Sequence, residues 1–545
     1  MENPETYEFV LPSMWMGIVV VVAFFAILYY VGYRAMKMTT TADDFYAAGF
    51  SVGPVVNALA MVATWASLAT FMGVIALIYK LQVPFVYLWI QWGLSIPLIT
   101  LLYGTCLRRM KAYTPATFIK ARYGNEATIL VVIWGSLAMI MYALGQMIGL
   151  GMAFEVLFGI PYNWGIVVVG IATIVFITLG SMYGLTHNAA FMSLVMILTM
   201  VLPMGGIMKA LGSSGWWFPP LAYGDMVPAM LDELPNFFDM TYSYKWYFSL
   251  IPALTLGPVA LPHLAMRVFT SGSVKTARWN LPWFVFFLGL LFGATYTAGF
   301  AGNMFTAVEG MAIEPPDQTI LALNVFYNPD IVAALVIGGV LAGGLSTIGG
   351  NLMAISGLVG NDLMNVVKPN AEHKSKVTIG YIALAVGGLI ALLLAFRPPP
   401  FLVVSVLWAF GLLATTVTPA ILLGVWWKQT NKLAVIISSI VSGVVYIIIS
   451  PHAAAGIVVG KGVTAALGMA GGMVTVPLAF MIVIIGSVVF NQMNIAPVTL
   501  EEKQVIDRIH GWGSDYEEKR YNGMLMPVIM VLVCVVVFIW GLQPW

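Results

Sequence analysis

Charge is what this 545-residue chain has least of. Asp, Glu, Lys and Arg together make up 9% of it, against about 25% in a soluble protein. So few charges cannot cover a water-facing surface of this size, which excludes an ordinary globular enzyme. Cysteine is scarcer still, with only Cys106 and Cys534, and that excludes a disulfide framework. The histidines, at 187, 263, 373, 452 and 510, are scattered, and no Cys/His pair has ligand spacing, which disfavours haem, redox and structural metal sites. No Walker A or GxSxG sequence occurs, so neither ATP hydrolysis nor acyl transfer has a motif. The formal net charge is +1 with no basic run, so nucleic acid is excluded as a partner. What is present is apolar: 60% of residues are hydrophobic and the mean hydropathy is +0.93. The composition is that of an all-α polytopic membrane protein whose principal partner is the lipid bilayer.

A bilayer core about 30 Å thick needs about 20 apolar residues per helix. Windows of that size predict fourteen spans, at 14–35, 55–79, 83–105, 127–157, 162–182, 187–211, 246–266, 279–303, 331–360, 377–396, 401–427, 433–450, 464–490 and 524–541. Glu2, Glu5 and Glu8 precede the first span and Arg34 and Lys37 follow it, the reverse of a cleavable signal. Lys and Arg in the loops set orientation. With the N-terminus outside, 19 of the 24 fall in the inner segments 34–54, 106–126, 267–278, 368–376, 428–432 and 503–520. Both termini are therefore expected outside, in a plasma (inner) membrane. The outer segments 212–245 and 304–330 are acidic and rich in Pro and aromatics, and are expected to form short helices or lids. The longest inner loop, 491–523, is expected to be partly helical.

Intramembrane charge is the usual functional pointer, and it is almost absent. Glu155 at the outer end of the fourth span reads as a snorkelling carboxylate, and His187 and His263 as interfacial hydrogen-bonding groups at inner helix ends. The polar residues that remain inside are neutral. The second span carries Thr64, Ser67 and Thr70, and the ninth carries adjacent Ser346 and Thr347 among six glycines between 338 and 350. Small residues alone mean close helix packing. Adjacent hydroxyls add oxygens, which together with unwound backbone carbonyls can hold a hard monovalent cation without fixed charge. Pro252, Gly257, Pro258 and Pro262 interrupt the seventh span. Interrupted helices at membrane depth persist where they are buried or line a cavity, and a pair of them marks the binding site of a secondary transporter.

At these residues the chain resembles the solute:sodium symporter family, and the acetate and short-chain monocarboxylate permeases within it. The stretches that carry the resemblance are DDFYAAGFSVGPVVNALAMVATWASLATFMG (43–73), YTPATFIKARYG (113–124), GPVALPHLAMRVFTSGSVKTARWN (257–280), LSTIGGNLMAISGLVGNDL (345–363) and WAFGLLATTVTPAILLGVWWK (408–428). The resemblance implies one transporter domain with the ten-helix inverted-repeat core of the leucine transporter. A helix at 14–35 would lead, the core halves would be 55–211 and 246–427, and three helices in 433–541 would trail. It implies Na+ as coupling ion, held by the carbonyls of Ala63, Ala66 and Gly343 and the hydroxyls of Ser346 and Thr347. A small-molecule substrate would lie near Trp65, Ser67 and Thr70, with Tyr87, Gln91, Gln146, Leu254 and Thr415 completing the pocket. Many members carry an acidic residue where Ala189 stands, so a single sodium per turnover is expected.

The expected function is sodium-coupled symport of a short-chain monocarboxylate by alternating access, with a neutral or zwitterionic solute as the alternative. No Lys or Arg is expected at mid-membrane depth, so an anion would rely on backbone N–H groups, Gln146, hydroxyls and the cation. A ligand sensor, which in this family usually carries a long cytoplasmic extension, and a passive channel, which needs a hydrophilic pore, are the competing readings. Oligomeric state has no signal in the sequence.

Overall fold

The computed structural model describes residues 5–8, 14–82, 95–179, 181–212, 243–399, 401–450 and 470–511, and parts of 228–239. The chain is almost wholly helical. The leading helix α1 is Met14–Met38. The second span is broken into α2, Pro54–Trp65, and α3, Ala69–Leu81. Three long helices follow, then the interrupted seventh span and a fourth long helix. They are α4 Asn125–Phe158, α5 Tyr162–Leu179 and α6 Met182–Ala210, then α7 Ile251–Leu256, α8 Pro262–Phe269 and α9 Val274–Glu309. The rest are α10 Asp330–Ser356, α11 His373–Ala395, α12 Val403–Thr416, α13 Thr418–Trp426, α14 Lys432–Ile449, α15 Gly472–Gln492 and the inner-side α16 Leu500–His510. Among the described residues, eight helices are long and apolar enough to cross a membrane, or eleven if each bent pair is one span. A described helix meets each expected span except 524–541, which lies outside the described residues, as do 83–94 of the third span and most of the outer segment 212–245.

The apolar residues divide into two populations. Leu198, Leu202, Val285, Phe286, Ile382, Val386 and Leu393 are exposed along whole helix faces, an arrangement that water would not tolerate and lipid requires. Inside, α10 is enclosed along nearly its full length. It packs against α4, α6 and α11, and α4 in turn against α5 and α12. Small residues allow this closeness: a Cβ on Gly344 would stand 2.6 Å from Leu150 Cδ2.

Three spans bend. The breaks are 58° between α2 and α3, 45° across Leu261 before α8, and 42° between α12 and α13. The last two have proline at the start of the following helix, Pro262 and Pro419, where the missing N–H removes a ladder bond. The 42° bend interrupts 401–427, which the sequence alone reads as continuous. Thr418 Oγ1 donates to the Leu256 carbonyl at 2.8 Å and so ties this bend to the end of α7.

At the end of the bundle that the sequence assigns to the outer side, the two-residue strands β1 (Glu5–Thr6) and β2 (Met311–Ala312) pair in parallel, beside a short helix Thr319–Tyr327. The expected short outer helices in 304–330 are present in this form. Asp317 lies just before this helix, 1% exposed. Its Oδ2 accepts the Leu402 amide at 3.0 Å, just before α12 begins, while Oδ1 has no partner among the described residues. Burial pushes its carboxyl up to about 7, from about 4 in an unfolded chain. A raised carboxyl binds more protons folded than unfolded, so its share of stability is full below about pH 4 and declines as pH rises through about 7. Thermal unfolding of the full chain in detergent should accordingly give a lower midpoint at about pH 8.5 than at about pH 5. Asp317→Asn, which keeps the acceptor for Leu402, should be the more stable protein at the higher pH and should lose most of that dependence.

Candidate functional site

The break between α2 and α3 contains neither Pro nor Gly. Ala66 ends α2 with φ −80° and ψ 70°. Thr70, whose amide would bond the Ala66 carbonyl in a continuous helix, bonds the Ser67 carbonyl at 2.8 Å instead. Each group released by the break needs a partner, because water is not available at this depth. The Leu68 amide donates to Gln146 Oε1 at 2.8 Å, reaching across to α4. The Ala69 amide donates to Ser67 Oγ at 3.1 Å.

The carbonyls at the end of α2 meet α10. Ser346 Oγ stands 2.8 Å from the Ala63 oxygen and 3.1 Å from the Gly343 oxygen. Thr347 Oγ1 stands 3.3 Å from both the Ala63 and the Thr64 oxygens. The structure thus brings Ala63, Gly343, Ser346 and Thr347 together as the sequence reading expects, and adds the Thr64 carbonyl. Ala66 is adjacent in the chain. The cluster offers five neutral oxygens and no carboxylate, a donor set suited to a hard monovalent cation. Among the described residues no group of three His, Cys, Asp or Glu could hold a metal, and Ala189 is a buried apolar contact on α6.

The expected substrate residues divide. Ser67 and Gln146 meet at the break, joined by Tyr142, whose hydroxyl donates to Ser67 Oγ at 3.4 Å. Tyr142 and Gln146 are four apart on α4 and so share a face. The sequence reading passed over Tyr142, although that spacing was there to be read. Gln146 Nε2 and Thr70 Oγ1 are buried without partners among the described residues, two polar groups available to a ligand. Trp65 turns elsewhere: its indole donates to Ser95 Oγ at 2.8 Å and its ring lies against Phe284 and Phe292. Thr415 is not brought to the cluster, since its hydroxyl is bonded to Thr475 on α15 at 2.7 Å. Leu254 is buried in α7. Tyr87 and Gln91 lie outside the described residues.

Two residues at the inner end of the seventh span require correction. His263 is not an interfacial hydrogen-bonding group. It is 1% exposed, packed edge-to-face with Tyr142, and neither ring nitrogen has a partner among the described residues. Arg267 is not an inner-loop charge: it is buried within α8. His187 does bond locally, to the Tyr183 carbonyl, and Glu155 takes the Tyr162 amide at the outer end of α4.

A multispan bundle with a broken helix facing a neutral oxygen cluster is the build of an ion-coupled membrane carrier. Residues 45–443 match the model of the sodium:solute symporter family, and the chain belongs to that family. It is similar to the monocarboxylic acid transporter of Corynebacterium glutamicum, at 26% identity over 535 residues, covering 89% of this chain and 93% of the relative. Among solved structures it is similar to a Na+-coupled sialic acid symporter in a substrate-bound outward-open state, with a TM-score of 0.73 at 17% identity, over 89% of this chain and 99% of that one. A nucleobase-cation-symport-1 family transporter in a closed conformation gives 0.51 at 15% identity, over 85% and 97%. Those two likenesses are of fold. The chain is a sodium-coupled symporter.

Replacing both hydroxyls, Ser346→Ala with Thr347→Ala, should raise the half-saturating sodium concentration about tenfold or more, each buried ligand being worth about 1–3 kcal/mol. Sodium-dependent uptake in proteoliposomes measures it, and an unchanged sodium requirement removes these hydroxyls from the site. Gln146→Leu should lower the stability of the folded protein by about 1–3 kcal/mol through the orphaned Leu68 amide, read as a lower unfolding midpoint in detergent.

Proposed function

We infer that the protein carries a short-chain monocarboxylate together with one Na+ per turnover by alternating access, across the plasma membrane, with both termini outside. The observation that carries this reading is the convergence of Ser346 and Thr347 on the Ala63 and Thr64 carbonyls beside the break in the second span. The ten-helix core would run from α2 to α13. Na+ would be held by the carbonyls of Ala63, Ala66 and Gly343 with the Ser346 and Thr347 hydroxyls. The Thr64 carbonyl, close to Thr347, is a further candidate. The two hydroxyls now spend their protons on those carbonyls, and a cation would take the oxygens of both partners instead. Binding would therefore fasten α2 to α10, and release would free them to separate as the carrier changes face.

The substrate would lie beside the break, with Ser67, Thr70, Tyr142 and Gln146 as its polar contacts, Leu254 as apolar wall, and Tyr87 and Gln91 joining from the third span. Gln146 Nε2 and Thr70 Oγ1 supply donors without a competing partner among the described residues, which suits a carboxylate. The relative in Corynebacterium glutamicum, named as a monocarboxylic acid transporter, supports the same substrate class. Ala189, where many members of the family carry an acidic residue, favours a single sodium.

Ser67→Trp should abolish substrate uptake while sparing sodium binding, followed as sodium-induced change in intrinsic fluorescence. Normal transport by this variant would put the pocket elsewhere. One Na+ with one monoanion moves no net charge, so a tenfold sodium gradient supports only about tenfold accumulation, about 1.4 kcal/mol. A neutral substrate would add about 2.3 kcal/mol per 100 mV. An inside-negative potassium diffusion potential imposed on proteoliposomes should therefore leave final accumulation almost unchanged. A large potential-driven rise means a neutral solute or a second cation.

A further inference from the structure

Arg267 holds its charge in an unusual way for a buried guanidinium. It is 1% exposed, and no carboxylate reaches it among the described residues, whose only ion pairs are Lys80–Glu314 and Lys428–Asp507. Its Nε donates to Thr64 Oγ1 at 3.1 Å and its Nη1 to Thr186 Oγ1 at 2.7 Å, with Met182 Sδ at 4.0 Å. Hydroxyls and a thioether satisfy donors but do not neutralise a charge, and a buried charge without a counter-ion is costly. Its position in the last turn of α8 gains a little from the helix dipole, too little to balance that cost. Arg122 makes the contrast. It is also buried, but its Nη2 lies among the carbonyls of Trp427, Lys428 and Thr430 where α13 ends, which is a counter-charge built into the fold. Arg267 has none.

His263 precedes Arg267 by four residues on α8 and so shares its face. Its imidazole nitrogens are buried and unpartnered among the described residues. The guanidinium reaches Thr64 directly, and His263 borders the same glycine as Thr64: a Cβ on Gly350 would stand 3.0 Å from Thr64 Cγ2 and 3.6 Å from His263 Cβ. Thr64 is also the residue whose carbonyl lies 3.3 Å from Thr347 Oγ1 in the oxygen cluster. On the other side, Tyr142 touches His263 and reaches Ser67. Polar side chains are therefore spaced from the break at Ser67, through Tyr142 and His263, to the Arg267 guanidinium.

We propose that Arg267 and His263 form an inner subsite for a small carboxylate, which the substrate occupies between the break in the second span and the cytoplasm. In the conformation described, Thr64 and Thr186 occupy the guanidinium and hold α8 against α2 and α6. As the inner halves of these helices part, the substrate carboxylate replaces the two hydroxyls, pairing with the guanidinium and with His263. The anion thus meets a counter-charge on its way across, while the cation leaves through the opposite side of Thr64. The proposal rests on the monocarboxylate reading.

The test uses the full-length protein in proteoliposomes of fixed orientation, with radiolabelled acetate presented to either face. Arg267→Gln should raise the half-saturating acetate concentration at the inner face about tenfold or more. At the outer face the change should stay within about twofold, and the sodium requirement should be unchanged. Arg267→Lys should recover most of the inner-face affinity. Thr186→Val removes a hydroxyl that competes for the guanidinium but leaves the charge, so it should preserve or improve inner-face affinity. If the guanidinium serves only to latch α8 to α6, Thr186→Val will instead reproduce the Arg267→Gln defect, and that result overturns the subsite. Should Arg267→Gln fail to fold by gel filtration, Arg267→Lys and Thr186→Val decide between the same two outcomes. A wild type that transports acetate with an inner-face affinity indifferent to Arg267→Gln overturns the subsite alone. A wild type that accumulates none of acetate, propionate or pyruvate overturns the substrate reading, and the subsite with it.

Discussion

The hydrogen bond from the Leu68 amide to Gln146 Oε1 is the constraint on which the site depends. A helix broken in a membrane exposes amides and carbonyls that lipid cannot satisfy, so the break is stable only where side chains from other helices meet those groups. Gln146 on α4 meets the amide side. Ser346 and Thr347 on α10 meet the carbonyl side. Under the proposed reading, the oxygens that satisfy the broken backbone are also the ones a cation would take, so structural repair and ion recognition would use one set of atoms, and the partial charges of released carbonyls would serve a monovalent ion in place of a fixed negative charge.

Charge is instead used at the helix ends, where it fastens elements to one another. Asp362 at the end of the ninth span accepts from Thr117 Oγ1 and Asn361 Nδ2, each at 3.0 Å, and from the Thr114 hydroxyl. Lys120 beside it reaches the Asn365 carbonyl at 2.8 Å. Together they pin the short helix Pro115–Tyr123 to the end of α10's span. Farther along the inner side, Lys428 pairs with Asp507 at 2.7 Å and His510 Nε2 lies 2.9 Å from the Val425 carbonyl, which docks α16 beneath α13. Several of the positive residues that read as loop charges are thus anchors on carbonyls or a carboxylate, and Arg267 stands out because its described partners are two hydroxyls and a thioether.

The opposite end is held by different means. The short helix Thr319–Tyr327 follows a buried carboxylate, Asp317, that holds the start of α12 through one backbone amide. Leu402 lies at that start, and a Cβ on Gly149 would stand 3.3 Å from Leu402 Cδ2 and 2.7 Å from Leu68 Cδ1. This end and the helix break are therefore linked through a few apolar side chains packed at close range. A change at one should be felt at the other, because close-packed interiors transmit small displacements.

By itself the sequence determined the class of protein, the approximate positions of most spans, the two proline interruptions near 258–262, and Ser346 and Thr347 as hydroxyls that meet the carbonyls of the second span. Each of these follows from local quantities: hydrophobic run length, a missing amide, or two adjacent hydroxyls in an apolar helix. Only the tertiary structure decided where the second span breaks, since Trp65–Ala69 contains no residue that forbids a helix and the partners that stabilise the break lie on α4 and α10. It also turned Thr415 toward Thr475, drew Tyr142 to Ser67, and placed Arg267 and His263 in the interior. A polar side chain on a membrane helix can face lipid, a neighbour or a cavity, and its own sequence does not choose. The helices packed around it do.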